Sequence, residues 1–142
     1  LVGSEMCIRD RLHEGNYSCV IKNKEISTFT QRGITDLYDL LNTDPAFLRG
    51  AQIADKVIGK AAAVLMVLGR VQEVYTDIIS EPALVLLRRA NIKLDCMQVV
   101  PRIQNRDRTG WCPLETLCYE ENSLEILYSI IHDFVERMRN NL

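Results

Sequence analysis

The sequence predicts an α/β domain, a single α/β/α sandwich built around a largely parallel sheet. Three observations carry that reading. Between residues 51 and 96, β-prone runs and helical stretches follow one another as strand, helix, strand, helix, strand, which calls for right-handed crossovers and parallel pairing. A chain of 142 residues, 47% hydrophobic and 25% charged, is long enough for one real core. No internal repeat, low-complexity tract or linker divides it.

Composition narrows the function classes. A net charge of −2 argues against general nucleic-acid or anionic-membrane binding. The longest wholly apolar run, Ala61 to Gly69, is too short to span a bilayer. The five cysteines (Cys7, Cys19, Cys96, Cys112, Cys118) are odd in number and irregular in spacing, which predicts a reduced, cytoplasmic protein.

The first eleven residues, Leu1 to Arg11, show no period worth naming. They look like translated sequencing-adapter read-through, and the sequence reading sets 1–11 aside as a non-native tail before a single domain over 12–142. A native N-terminal arm is the alternative.

The elements follow in order. Tyr17–Lys22 and Ile26–Thr30 form a hairpin around Asn23-Lys24-Glu25. Ile34, Leu37, Tyr38 and Leu41 recur at helical spacing until Asn42-Thr43-Asp44-Pro45 breaks the helix. Ala51–Ala54 reads as a short strand feeding a helix over 54–69, apolar almost all round and therefore buried. Val71–Ile79 is the next strand. Ser80-Glu81-Pro82 starts a helix that turns Leu84, Leu87 and Ala90 inward and ends at Asn91. Ile92, Leu94 and Cys96 alternate with Lys93 and Asp95 as a strand with one wet face. An irregular segment follows, from Val99-Val100-Pro101 through Gly110. Pro113 then fits the first position of a short helix. The last helix carries an apolar stripe of Leu124, Leu127, Ile131, Phe134 and Met138.

In parallel α/β sheets, ligands gather where strands end and helices begin. Asp55, Lys56 and Lys60 stand at one such place. On the predicted helix the two lysines share a face one turn apart, near the positive end of the dipole, a setting that lowers a lysine pKa toward a base or nucleophile. The other reading is an Asp N-cap with two lysines reaching solvent. Thr109-Gly110-Trp111-Cys112-Pro113-Leu114-Glu115 is a second place. A thiol at a helix mouth gains thiolate character, and Arg102, Arg106 and Arg108 precede it as an anion-binding set. Here too a bland reading stands beside the sharp one: a solvated basic loop and an inert, buried cysteine. Ser80 marks a third place, which by itself is an ordinary helix start.

Several strong signals are missing. The chain holds no glycine-rich dinucleotide fingerprint, no Walker loop and no Cys-x-x-Cys, and neither His13 nor His132 is placed for nucleophilic catalysis. No cofactor is called for.

The hairpin, the Ala54-Asp55-Lys56 segment, Ile79-Ser80-Glu81-Pro82-Ala83 and Thr109-Gly110-Trp111-Cys112-Pro113, in that order, resemble a small uncharacterised prokaryotic family with the cytidine deaminase-like fold. The resemblance covers about residues 12 to 120. It implies a mixed five-stranded sheet in the order 2-1-3-4-5, with helices on both faces. Zinc-dependent deaminases carry metal ligands and a catalytic Glu at two helix starts. By the resemblance these match Asp55-Lys56 and Pro82-Ala83-Leu84-Val85, which lack the ligands, so hydrolytic deamination by that route is expected to be lost.

Two functions follow as expectations. One is a zinc-independent, deaminase-like domain that binds a small nucleotide-like or anionic metabolite. Its enzymatic form uses Cys112 as nucleophile, Lys56 as base and Asp55 to orient it, with the loop before Cys112 folding back toward Lys56. Lys60, Ser80, Arg108, Thr109, Gly110, Trp111 and Glu115 are its expected ligand-binding residues. The other is a non-catalytic binding or assembly module that keeps the scaffold and self-associates through an edge strand.

Overall fold

The computed structural model describes residues 4–30, 34–104, 110 and 112–141. Among them, β1 (Cys19–Asn23), β2 (Glu25–Phe29), β3 (Gln52–Ile58), β4 (Glu73–Ser80) and β5 (Lys93–Val100) form one sheet in the order β2-β1-β3-β4-β5. β1 runs antiparallel to both β2 and β3, while β3, β4 and β5 are mutually parallel. The hairpin turn is tighter than a two-residue loop. Asn23 pairs with Glu25, and Lys24 alone bridges them with φ 68°.

Seven helices flank the sheet among the described residues: α1 (Ser4–Glu14), α2 (Thr35–Thr43), α3 (Pro45–Leu48), α4 (Lys60–Leu68), α5 (Glu81–Arg89), α6 (Pro113–Cys118) and α7 (Leu124–Asn140). Their distribution is uneven. Ile21, Ile53 and Val74 stand side by side in the register and join the main core with Leu37, Leu48, Leu65, Leu87, Leu114 and Leu127, so α2 to α7 cover that face. Their sequence neighbours Val20, Ala54 and Tyr75 point to the other face, where Ile8 and Leu12 of α1 meet them in a second, smaller cluster.

Four sequence expectations need correction. The largest concerns residues 54–58, which belong to the strand β3 and not to a helix. Pairing on both sides, with β1 and β4, outweighs the helical pattern, and β-branched Val57 and Ile58 suit a strand. Gly59 then separates strand from helix as the N-cap of α4. Second, residues 4–14 form a helix despite their weak pattern, because Ile8 and Leu12, one turn apart, are enough to seat it. Third, β5 continues to Val100, so Val99 and Val100, which the sequence places at the opening of the irregular segment, belong to the strand. Fourth, inward and outward residues differ at two helix ends. Ala90 is the exposed C-cap of α5, whose buried residues are Ala83 and Leu87; in α7, Val135 is buried and Met138 is 42% exposed.

The remaining ends follow the sequence. Ser80 caps α5 by accepting the Ala83 N–H, and Ser123 caps α7 by accepting the Ile126 N–H. Gly69 closes α4, with Arg70 next in the left-handed region at φ 59°. Asn91, at φ 60°, follows the end of α5.

Candidate functional site

The parallel strands β3 and β4 deliver the chain into α4 and α5 along one edge of the sheet. The start of α4 is the most elaborately furnished point on that edge. Glu115, in the first turn of α6, reaches across to it. The Lys60 N–H donates to Glu115 Oε1 at 2.6 Å and the Ala61 N–H to Oε2 at 3.1 Å. One carboxylate thus satisfies two of the free donors that every helix start exposes, and its charge meets the positive end of the dipole. Burial raises the Glu115 pKa, while these two N–H groups and the Lys60 charge act to lower it.

Gly59 makes this approach achievable. A Cβ built there would lie 2.5 Å from the Glu115 carboxyl carbon. The Gly59 backbone is extended, with φ −100°, so the demand for glycine comes from space.

Lys60 itself is 5% exposed. Its Nζ donates to the carbonyls of Tyr119 (2.9 Å) and Glu121 (2.5 Å), which follow α6. Burial lowers its pKa, opposed by Cys118, Glu115 and Glu121. Ammonium and carboxylate therefore lock α6 and the chain after it onto α4. Cys118, fully buried beside them, has its thiol pushed up to about 12 by burial first and the Glu115 charge second.

The other predicted residues scatter. Lys56 lies on β3, so it shares no helix face with Lys60, and its Nζ donates to Asn16 Oδ1 at 3.0 Å. Cys112 caps α6 and packs on the main core, with its N–H donating to the Ile103 carbonyl. No hydrogen bond or ion pair links it to Lys56 among the described residues. Ser80 is buried and serves its own helix. Gly110 is exposed. Arg106, Arg108, Thr109 and Trp111 lie outside the described residues, while Arg102 stacks its guanidinium over the Tyr119 ring at 3.8 Å.

Asp55 occupies a different setting, with neighbours that the sequence did not single out. In the register it stands between Cys19 on β1 and Thr76 on β4. Burial pushes its pKa up to about 7, against lowering by the Val57 N–H, the Cys19 side chain and the Lys56 backbone; Asp36 adds a further rise. The Cys19 thiol is raised well above its ordinary value by burial and then by Asp55. Only the pairing of the hairpin against β3 brings Cys19 to Asp55, and no local pattern signals it.

The histidines are engaged structurally. His13 Nε2 lies 2.9 Å from Asp77 Oδ1, and His132 Nδ1 lies 2.5 Å from the Tyr38 hydroxyl. Cys19, Cys96, Cys112 and Cys118 are free thiols. Among the described residues, no group of three or more His, Cys, Asp or Glu side chains is placed to hold a metal ion, and no helix is long and apolar enough to cross a membrane.

Comparison with known proteins fits this architecture. The crystal structure of a DUF1893 family protein (TM1506) from Thermotoga maritima superposes with a TM-score of 0.80 at 22% identity, covering 87% of this chain and 84% of that one. At that identity the likeness speaks for the fold alone. No curated protein matches the chain at a significant level. The family described as TM1506, a domain of unknown function (DUF1893), matches residues 7–135, and the chain therefore belongs to the DUF1893 family.

Proposed function

We propose that this domain is a non-catalytic binding or assembly module, a deaminase-like scaffold whose site of hydrolytic chemistry is closed by the chain itself. The observation that carries this reading is the pair of hydrogen bonds from Lys60 and Ala61 to Glu115. A zinc deaminase would hold its metal at the two helix starts that follow β3 and β4. Here those starts are Gly59-Lys60 and Ser80-Glu81-Pro82-Ala83. They offer no thiolate or imidazole, and a buried ammonium beside the first repels a divalent cation. Zinc does not fit this donor set. The N–H groups at the start of α4, the natural seat for a substrate anion, already hold Glu115.

The metabolite-binding reading has less support. Its enzymatic form needs Cys112 and Lys56 to share a ligand, yet Lys56 is engaged with Asn16 and Cys112 with the chain around Ile103. The Arg108, Thr109 and Trp111 part of that proposal falls outside the described residues.

A thermal-shift screen with zinc, nucleosides, nucleotides and sugar phosphates tests the proposal on wild type and Lys56→Ala. The expected result is an unchanged Tm throughout. A ligand at a hundred times its Kd would stabilise by about 2.7 kcal/mol, a rise of several degrees. Such a rise, lost in Lys56→Ala, overturns the reading in favour of a ligand site.

A further inference from the structure

We propose that a second copy of this chain docks along β5 and α5, giving a two-fold dimer with a continuous ten-stranded sheet. The inference rests on the assembly-module reading and names its partner. Among the described residues, β5 pairs with β4 alone, so from Leu94 to Val100 its outer side is a sheet edge with no strand against it. Its apolar side chains are unusually open for a strand, with Met97 76% and Val99 43% exposed. The other edge strand, β2, is shorter and carries Glu25, Ser27 and Thr28.

The helix beside that edge carries the specificity. On α5, Ala83 and Leu87 face the core, and Glu81, Val85, Arg88 and Arg89 are exposed on the opposite side, spaced i, i+4, i+7 and i+8. Val85 sits at the centre of this stripe, with an acid at one end and two guanidinium groups at the other. Among the described residues, the side chains of Glu81, Arg88 and Arg89 form no hydrogen bond or ion pair. Such a stripe is complementary to its own antiparallel copy. Val85 meets Val85, and Glu81 of each copy meets Arg88 and Arg89 of the other.

The same two-fold axis, set perpendicular to the sheet, satisfies strand and helix together. It makes β5 antiparallel to its copy. α5 packs on both β4 and β5, so the two copies of α5 lie about two strand spacings, or roughly 10 Å, apart. That is an ordinary helix-packing distance. The axis keeps each side chain on its own face of the sheet, so pairing centred on Met97 sets Met97 opposite Met97 and Asp95 opposite Val99 of the second copy.

Sedimentation equilibrium on the full chain tests this. Wild type is expected to dimerise. Glu81→Arg alone and the double variant Arg88→Glu/Arg89→Glu alone should each weaken dimerisation at least tenfold. An equimolar mixture of the two should restore a one-to-one heterodimer, because each reversed end then meets its opposite. Far-ultraviolet circular dichroism of each variant, matching wild type, shows that the fold is intact. A wild type that stays monomeric to about 100 µM, or a dimer indifferent to both reversals, overturns the proposal. Monomeric protein that also ignores every ligand in the screen leaves the non-catalytic reading standing while removing this one. Ligand stabilisation of a dimeric protein does the reverse.

Discussion

Glu115 and Asp55 are two half-buried carboxylates in different parts of the molecule, and burial is the largest influence raising the pKa of each. They differ in what meets them. Glu115 lies against the start of a helix, where two N–H groups and the nearby Lys60 ammonium favour its charged form. Asp55 lies within a sheet, where its charged neighbour is another acid, Asp36, and its pKa reaches about 7. A helix start supplies a fixed positive field. A strand supplies isolated donors only, because its other backbone groups belong to the ladder. The first setting offsets part of what burial costs the charge. The second leaves an acid half-protonated near neutrality.

The strongest way to sharpen this contrast is Asp55→Asn. In the folded chain the Asp55 pKa stands near 7, against an ordinary value of 3.8. Between those limits the folded state holds a proton that the unfolded chain has released, so stability falls as pH rises from about 4 to 7 and is flat beyond. Asparagine has no charge to bury and keeps an oxygen for the Val57 N–H. Urea unfolding should therefore show little gain at pH 4 and a gain of up to about 4 kcal/mol at pH 8. An equal gain at both pH values would mean that Asp55 is not an ionised, buried acid.

The two lysines extend the comparison. Lys60→Met removes both carbonyl hydrogen bonds and the cation beside Glu115, and should destabilise the fold by about 3 kcal/mol. The loss should grow with pH, because an ionised Glu115 then lacks its counter-charge. Lys56→Met gives up one partly exposed bond to Asn16 and should cost under about 1 kcal/mol. Similar losses for both would place Lys56 in a constrained site of its own.

The reason the sequence pairs these lysines, and the structure does not, is physical. Hydrophobic spacing reads burial well, and it found the hairpin, α2, α5, α7 and the apolar body of α4 within a few residues. It does not distinguish a buried strand from a buried helix, so Ala54 to Ile58 joined the helix that follows. The pairing of β3 with strands on both sides settles that segment, and such pairing is not local information. The candidate site was legible in its parts. Lys60, Ser80 and Glu115 were all picked out, and all three stand at helix starts or hold one together. Their partners were invisible: the Tyr119 and Glu121 carbonyls are backbone atoms that any residue would carry. Cys19 and Asp36 reach Asp55 only through the fold.

Gly59 gives the finest test of how the helix start holds its carboxylate. An alanine Cβ would fall 2.5 Å from the carboxyl carbon of Glu115, and the backbone itself would accept it. Glu115 must then retreat and release the Lys60 and Ala61 N–H groups. Gly59→Ala should accordingly cost about 1–2 kcal/mol, the value of a lost cap. Glu115→Ala should cost a similar amount for the same reason, and it also opens the space that the new methyl needs. The double variant should thus be no less stable than Glu115→Ala alone, a coupling energy of about 1–2 kcal/mol in a double-mutant cycle. Additive losses would separate the glycine from the carboxylate. They would leave the cap standing, but with a different reason for Gly59.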